Sequence, residues 1–211
     1  KKLDNFIAID GEDDNLIIKP LASKIKYFKR ELLEENSKIA LPISFSFPEF
    51  YTNNKNLNIE NKTSILSQMD PRFQNSYIFD EESYYTQYAK SIFAATTKKN
   101  GWDCLRHYEI LMNGCIPLFL DLKDCPNDCI TTLPKKELIE FLTKFEKILN
   151  LYNQFKIFKK KHLTLKRIFS PISLKSDKER LIDFLNKNEI IFNIKDNLLD
   201  FTKKNLTTEI L

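Results

Sequence analysis

The chain has 211 residues, of which 42% are hydrophobic and 29% are charged, as expected for a globular protein with a buried core. Its net charge of +4 argues against a nucleic-acid-binding protein. It has no run of about 18 apolar residues and no secretory signal pattern. We therefore expect no membrane span and a cytoplasmic location, either free or peripheral to a membrane.

The N-terminal part predicts a mixture of strands and helices. A short apolar run at residues 6–9 predicts a buried strand, which leads into the acidic turn "DGEDD". The other patterns of this part predict a helix over 20–36, an edge strand over 40–50, a loop over 51–62, a short helix over 62–69 and a short strand over 75–79. We expect residues 1–79 to form an N-terminal α/β part.

Helices and strands alternate regularly in the middle of the chain. The patterns predict a helix over 80–90, a strand over 91–97, a helix over 103–113 and a strand over 115–122, with Gly114 placed to end the second helix. Strands joined through helices indicate a parallel sheet. The predicted fold class is therefore α/β, with a Rossmann-like parallel sheet flanked by helices.

The C-terminal part predicts helices. Apolar residues recur at helical spacing over 135–161, and Ser176 with Glu179 forms a capping-box pattern that starts a further helix. We expect residues 80–165 to form the Rossmann-like part and residues 166–211 to pack on it as helices. The chain has no initiator Met at its start and no helix stop signal at its end, so we expect a trimmed chain or a fragment.

Four cysteines occur, at positions 104, 115, 125 and 129. The spacing of Cys125 and Cys129 would suit a zinc site or a disulfide, but the chain has no paired Cys-x-x-Cys motifs. We expect buried or free thiols.

The helix predicted over 103–113 separates into two faces at about 100° per residue. One face is apolar and predicts core residues, namely Cys104, Leu105, Tyr108, Leu111 and Met112. A second face carries Arg106 and Glu109, with Asp103 and His107 nearby. Such a pair is either a solvated surface pair or part of a site.

The position of this pair favours a site. Lys98, Lys99 and Gly101 lie in the loop between the strand and the helix, and ligands of open α/β sheets bind beyond the carboxyl ends of the strands. Backbone N–H groups at a helix N-terminus suit a phosphate. Arg106 could hold a diphosphate bidentately, and Glu109 could accept hydrogen bonds from a sugar diol. The residues predict a sugar-nucleotide site.

The stretch "GWDCLRHYEILMNGCIPLF", residues 101–119, resembles the donor-site segment of exostosin-like and related GT-B glycosyltransferases. Their pattern is an Arg, a Glu three residues later, and Gly-Cys-Ile-Pro at the start of a strand. Here these are Arg106, Glu109 and residues 114–117. The resemblance covers about residues 80–140.

The resemblance implies a GT-B-type fold in partial or reduced form, with residues 1–79 as a candidate acceptor side. It implies that Glu109 contacts the ribose of the donor and that Arg106 contacts its phosphate or sugar, with Lys98 and Lys99 as weaker ligands. The remaining candidates around the donor are Gly101, Trp102, Asp103 and His107. The implied partners are a nucleotide-sugar donor and a glycan acceptor.

The acidic turn after the first strand is the second candidate constellation. Asp10 or Asp13 could act as the base that deprotonates an acceptor hydroxyl. The turn could instead hold Mn²⁺ or Mg²⁺, or it could be an ordinary polar turn. We favour no metal and no required cofactor, because Lys98, Lys99 and Arg106 offset the diphosphate charge.

The leading hypothesis is a glycosyltransferase that moves a sugar from a nucleotide donor to a saccharide hydroxyl. Two alternatives remain open. One is a non-catalytic module that binds sugar nucleotides or glycans and derives from a longer transferase. The other is a protein-interaction domain in which the central stretch is all core.

Overall fold

The structure is a computed structural model, which describes residues 5–46, 61–78, 80–119 and 121–151, the last eight of these by their backbone alone. Its strands are β1 (Ile7–Asp10), β2 (Lys26–Lys29), β3 (Leu41–Pro42), β4 (Ser64–Leu66), β5 (Ser91–Thr96) and β6 (Ile116–Phe119). Its helices are α1 (Lys19–Ala22), α2 (Glu81–Ala89), α3 (Leu105–Met112) and α4 (Lys135–Leu151).

The six strands form two parallel sheets of three strands each, in the orders β1-β2-β3 and β4-β5-β6. Consecutive strands of the second sheet are joined through α2 and α3, as parallel pairing requires. The predicted α/β class with parallel sheets and flanking helices is confirmed at this level. Within the described ranges, no helix combines the length and the apolar character needed to cross a bilayer.

The main core surrounds the second sheet. All six residues of β5 and all four of β6 are buried, because helices or loops cover both faces of the sheet. From α3, Tyr108, Leu111 and Met112 pack against Phe119 and a set of later residues that includes Leu122, Leu133 and Leu138. Burying side chains of this size contributes about 1.5–3 kcal/mol each, so this core supplies much of the driving force for folding.

Both helices of the second sheet lie within one or two residues of their predicted bounds, 80–90 and 103–113. The Asp80 side chain accepts a hydrogen bond of 2.8 Å from the Ser83 N–H at the start of α2, which is a standard N-cap. Gly114 follows α3 with a φ of 65°, a conformation that glycine adopts without strain. The predicted helix from 135 begins at Lys135. The helices expected beyond residue 151 lie outside the described residues.

The predicted helix over 20–36 is wrong. Only Lys19–Ala22 is helical, and β2 follows. In β2 the side chains of Tyr27 and Lys29 are buried while Lys26 is exposed, which is the two-residue period of a strand. The charged and apolar residues of "KIKYFKRELLEE" fit the 3.6-residue period of a helix as well as the two-residue period of a strand. The pattern therefore predicts a helix where the structure has a strand. The fold buries a lysine that the sequence places on a surface.

Other expectations for this part also need correction. The predicted helix over 62–69 contains the strand β4, which pairs with β5, and the predicted strand over 75–79 begins in a 3-10 turn at Gln74–Ser76. The predicted strand at 6–9 exists as β1, but it is not buried. Ile7 and Ile9 are 61% and 65% exposed, since β1 is the outer strand in the described sheet order.

In the described part of the edge strand predicted over 40–50, residues 40–46, only the two residues of β3 are in a strand, and they pair with β2. A proline suits this position because an outer strand needs no N–H donor on its free side. The predicted loop over 51–62 falls almost entirely outside the described residues.

Candidate functional site

The carboxyl ends of the two sheets face each other. Arg30, directly after β2, donates from Nε to the Gly11 carbonyl at 2.9 Å and from Nη1 to the Asp103 carbonyl at 2.6 Å. Gly11 lies in the acidic turn after β1, and Asp103 lies in the loop after β5. The fold thus brings together the two constellations that the sequence singles out, which are far apart along the chain.

The carboxylate of Glu31 is the centre of this junction. It accepts hydrogen bonds from the backbone N–H groups of Trp102 at 2.8 Å and Asp103 at 2.9 Å. A Cβ on Gly101 would lie 2.5 Å from Glu31 Oε1 and 3.1 Å from Asp13 Oδ1, so only glycine permits this approach. These two loop amides, expected to be available for a phosphate, are therefore already bound to an internal carboxylate.

Asp103 is a buried connection between the sheets. Its carboxylate accepts from the Phe45 N–H at 2.8 Å and from the Tyr108 hydroxyl at 2.7 Å. Burial raises the pKa of Asp103 to about 6, although both hydrogen bonds and the nearby Arg30 oppose the shift. Since both carboxylate oxygens are occupied, the geometry gives Asp103 a structural task and leaves no contact for a donor.

His107 is fully buried, which corrects the expectation that it is available to a donor. Its Nδ1 lies 2.8 Å from the Thr96 hydroxyl and its Nε2 lies 2.9 Å from the Trp102 carbonyl, while the ring stacks on Phe119. Burial lowers its pKa to about 3, so the ring is neutral at physiological pH. Nε2 carries the proton, because its partner is a carbonyl, and neither nitrogen remains for a ligand.

The acidic turn after β1 is bonded to residues of β2 and to Arg30, which follows β2. Asp10 accepts from the Tyr27 hydroxyl and, at 2.9 Å, from Lys29 Nζ. Burial opposes its charge, but these hydrogen bonds outweigh burial and lower the pKa of Asp10. Asp13 is paired with Arg30, and its side chain is 46% exposed. Of the two candidate bases, Asp13 is the one that faces both solvent and the loop after β5.

Arg106 lies in the first turn of α3 and is only 9% exposed. Its Nη1 is buried without a hydrogen-bond partner, and within the described chain it forms no salt bridge. The half-buried Glu109, one turn further along, accepts a hydrogen bond of 2.5 Å from the Tyr84 hydroxyl of α2. Burial raises the pKa of Glu109, opposed by that bond and by the charge of Arg106.

The predicted core face of α3 is confirmed for three of its residues, since Tyr108, Leu111 and Met112 are buried. Leu105 is 42% exposed, contrary to expectation, and Cys104 is only partly buried. Ile110 is also buried, in a second cluster with Tyr88 and other residues between α2 and the sheet. The face with Arg106 and Glu109 therefore lies towards α2 and not on open surface.

The two loop lysines lie at this edge. Lys98 Nζ lies 5.1 Å above the Trp102 ring, and the Lys98 N–H is 3.2 Å from an oxygen of Asp121, after β6. Lys99 Nζ donates to the Tyr77 hydroxyl at 2.8 Å. Both ammonium groups are on the exposed side of the loop, so they add positive charge without being committed to a carboxylate.

Sequence reasoning missed four residues of this region. Tyr84 and Tyr88 had a usable signal, because a spacing of four residues in a helix puts both hydroxyls on one face. Arg30 and Glu31 had none, because they were assigned to a helix and their partners are about 70 residues away.

No group of three or more His, Cys, Asp or Glu side chains is arranged to hold a metal ion in the part of the chain that the structure describes. All four cysteines are free thiols, as expected. Comparison of the chain with protein-family models, curated proteins and solved structures finds no match.

Proposed function

We propose that the chain binds a nucleotide-sugar donor and acts as a glycosyltransferase on a saccharide hydroxyl. The observation that carries the proposal is the buried Arg106, whose Nη1 has no partner. Glu109 opposes the Arg106 charge through space, but no salt bridge joins them in the described chain, and a buried N–H without an acceptor costs about 1–3 kcal/mol, which an anionic ligand would remove. The diphosphate of a nucleotide sugar supplies such an anion.

The surroundings of Arg106 support a phosphate in particular. A guanidinium can bind two phosphate oxygens at once. Arg106 lies in the first turn of α3, where the helix dipole is positive, and Lys98 and Lys99 add charge nearby. Glu109, one turn away and half-buried, is suited to the hydroxyls of a ribose. The bond between this carboxylate and Tyr84 uses Oε2 only, which leaves Oε1 for the ligand.

The acceptor would lie on the side of the acidic turn. The acceptor oxygen attacks the anomeric carbon, the bond from that carbon to the diphosphate oxygen breaks, and the electron pair leaves with the diphosphate. Arg106 offsets the charge that grows on the leaving group. Asp13 would take the acceptor proton if the reaction inverts, because Asp10 is held by Tyr27 and Lys29. No metal is required in this scheme, since cationic side chains oppose the diphosphate charge.

One observation favours the alternative of a non-catalytic module that binds sugar nucleotides. Both carboxylates that could act as a base are bonded to cations, Asp10 to Lys29 and Asp13 to Arg30. The bonds to Asp10 lower its pKa, so it accepts a proton less readily, and the oxygen of Asp13 that binds Arg30 is not available to an acceptor hydroxyl. Such a module would bind donors through Arg106 and Glu109 without turning them over.

The experiment is a thermal-unfolding screen of the wild-type chain with UDP-, GDP-, CMP- and ADP-sugars. A ligand at 100 times its dissociation constant adds about 2.7 kcal/mol of stability. Arg106→Gln should abolish the shift. The matched control is Lys90→Gln, which removes a cation directly before β5, at the opposite end of the strand, and should keep it. Wild-type protein that responds to none of these compounds would contradict the proposal.

Turnover is measured on the same samples. Release of nucleotide from the donor that binds, with and without saccharide acceptors, separates the transferase from the module. Loss of release in Asp13→Asn, with donor binding retained, is expected for the transferase. Donor binding without any release of nucleotide would support the non-catalytic module instead.

A further inference from the structure

Two tyrosines of α2 form a chain of hydroxyl groups that ends on Glu109. The Tyr88 hydroxyl lies 3.4 Å from the Tyr84 hydroxyl, and the Tyr84 hydroxyl donates to Glu109 Oε2 at 2.5 Å. The two rings meet edge to face at 5.0 Å between centroids. The Tyr84 ring is thus fixed by Tyr88, and its hydroxyl in turn fixes the orientation of a carboxylate on the neighbouring helix.

The charge of Glu109 depends on the same contact. The groups that face it are Tyr84, Tyr88 and Glu81 from α2 and Arg106 from its own helix. Burial and Glu81 disfavour the ionised carboxylate, while the Tyr84 hydrogen bond and Arg106 favour it. Burial raises the pKa of Tyr84 well above its ordinary value, so its hydroxyl keeps its proton and remains a donor throughout the physiological range.

We infer that Tyr84 is a positioning residue, which turns the Glu109 carboxylate so that one of its oxygens is free for ligand hydroxyls. The inference rests on the proposed function, because it assumes that Glu109 binds the sugar part of a nucleotide. A phenolic donor suits this task better than a cation would. It orients the carboxylate without cancelling the charge that makes Glu109 a strong acceptor.

The substitution Tyr84→Phe tests this role, since it removes the hydroxyl and keeps the ring that packs on Tyr88. Two kinds of probe are compared by calorimetry. UDP, GDP and ADP, each measured separately, contain a ribose and a diphosphate, whereas inorganic pyrophosphate contains only the anion. Tyr84→Phe should weaken the nucleotide that binds by about tenfold or more and should leave pyrophosphate affinity unchanged. Tyr88→Phe, the matched control, should change either affinity by much less.

The pH profile provides a second readout. Without the Tyr84 hydroxyl the pKa of Glu109 rises further, and binding requires the ionised carboxylate. Nucleotide affinity should therefore fall at a higher pH in Tyr84→Phe than in the wild type as the solution is acidified, while pyrophosphate affinity should show no such displacement between the two proteins.

The outcomes distinguish a failure of the Tyr84 inference from a failure of the proposed function. Equal loss of nucleotide and pyrophosphate binding in Tyr84→Phe would mean that the tyrosine only supports the helix packing, and unchanged nucleotide binding would mean that it has no role. Either result overturns the inference while the proposed function stands. Wild-type protein that binds neither kind of probe would overturn the proposed function itself.

Discussion

Two regions of this molecule bury charged side chains, and they do so in opposite ways. At the junction of the sheets, both carboxylate oxygens of Glu31 accept backbone N–H groups, and both oxygens of Asp103 are bonded. Between α2 and α3, the guanidinium of Arg106 is buried with Nη1 unpaired, and Glu109 has one bonded oxygen. Every carboxylate oxygen of Glu31 and Asp103 at the junction has a hydrogen-bond partner, whereas Arg106 and Glu109 each have a polar atom without one in the described chain.

On the proposed function, the difference separates groups that serve folding from groups that bind a ligand. A buried polar group with all its partners stabilises one arrangement of the chain, and removing it leaves those partners unsatisfied. A buried charge that lacks a partner destabilises the free protein, so it persists only where something else benefits. Variants of the two regions should therefore have opposite effects on stability and on binding.

The largest loss of stability is expected for Glu31→Ala. The two N–H groups that it releases, from Trp102 and Asp103, would be buried without acceptors, at a cost of about 2–5 kcal/mol. Chemical denaturation measures the change in the free energy of unfolding. The control is Glu35→Ala, whose side chain is exposed and which should shift stability by less than about 0.5 kcal/mol. Equal stability of the two variants would mean that the junction is not the structural centre.

A similar loss is expected in the apolar core. Leu111→Ala should lower the free energy of unfolding by about 2–5 kcal/mol, because it leaves a cavity against Phe119. Leu105→Ala, on the same helix, should cost about 1 kcal/mol or less, since Leu105 is 42% exposed. Calorimetric melting of both variants checks the order. A larger effect at Leu105 would restore the helical-wheel prediction for the first turn of α3.

A smaller effect, of about 2–3 kcal/mol, is expected from the titration of Asp103. Its folded pKa of about 6 lies above the ordinary value, so its protonated form is favoured by folding. Its contribution is fully present below the unfolded pKa, near 3.8, and is lost as the pH rises through about 6. The groups around it are Arg30, Glu31 and Tyr108.

The measurement is the free energy of unfolding from pH 4 to pH 7 in the wild type and in Asp103→Asn. The free energy of unfolding of the wild type minus that of the variant should fall by about 2–3 kcal/mol as the pH rises over this range, because His107, whose pKa is lowered to about 3, gives both proteins the same opposite pH dependence. Identical pH dependence in the two proteins would mean that Asp103 is ionised throughout, in contradiction to the burial of its carboxyl group.

The sequence predicted the second sheet better than the first for a physical reason. In residues 80–122 the apolar period changes clearly between strand and helix, and Asp80 and Gly114 mark helix ends. In residues 20–36 the strand β2 buries Lys29, and only the partner carboxylates of Asp10 and Asp14 make that burial possible. No local pattern contains that information, because the partners come from another strand.

The same limit applies to the site. The pair Arg106 and Glu109 was found from spacing alone, but the state of each required the fold. The spacing predicts His107 as a donor-site candidate, but both of its ring nitrogens are bonded, one to the Thr96 hydroxyl and one to the Trp102 carbonyl. The spacing predicts that the loop N–H groups are available for a phosphate, but those of Trp102 and Asp103 donate to Glu31. Spacing along one helix indicates which residues share a face, whereas long-range contacts decide which of their atoms remain free.

The most direct test of the central claim compares stability and anion binding in Arg106→Gln. The free energy of unfolding should stay within about 1 kcal/mol of the wild type, or exceed it, because an unpaired buried charge is removed. Inorganic pyrophosphate should raise the melting temperature of the wild type and of Lys90→Gln, but not that of Arg106→Gln. A large loss of stability in Arg106→Gln, together with an undiminished response to pyrophosphate, would contradict the claim that Arg106 is held ready for an anion.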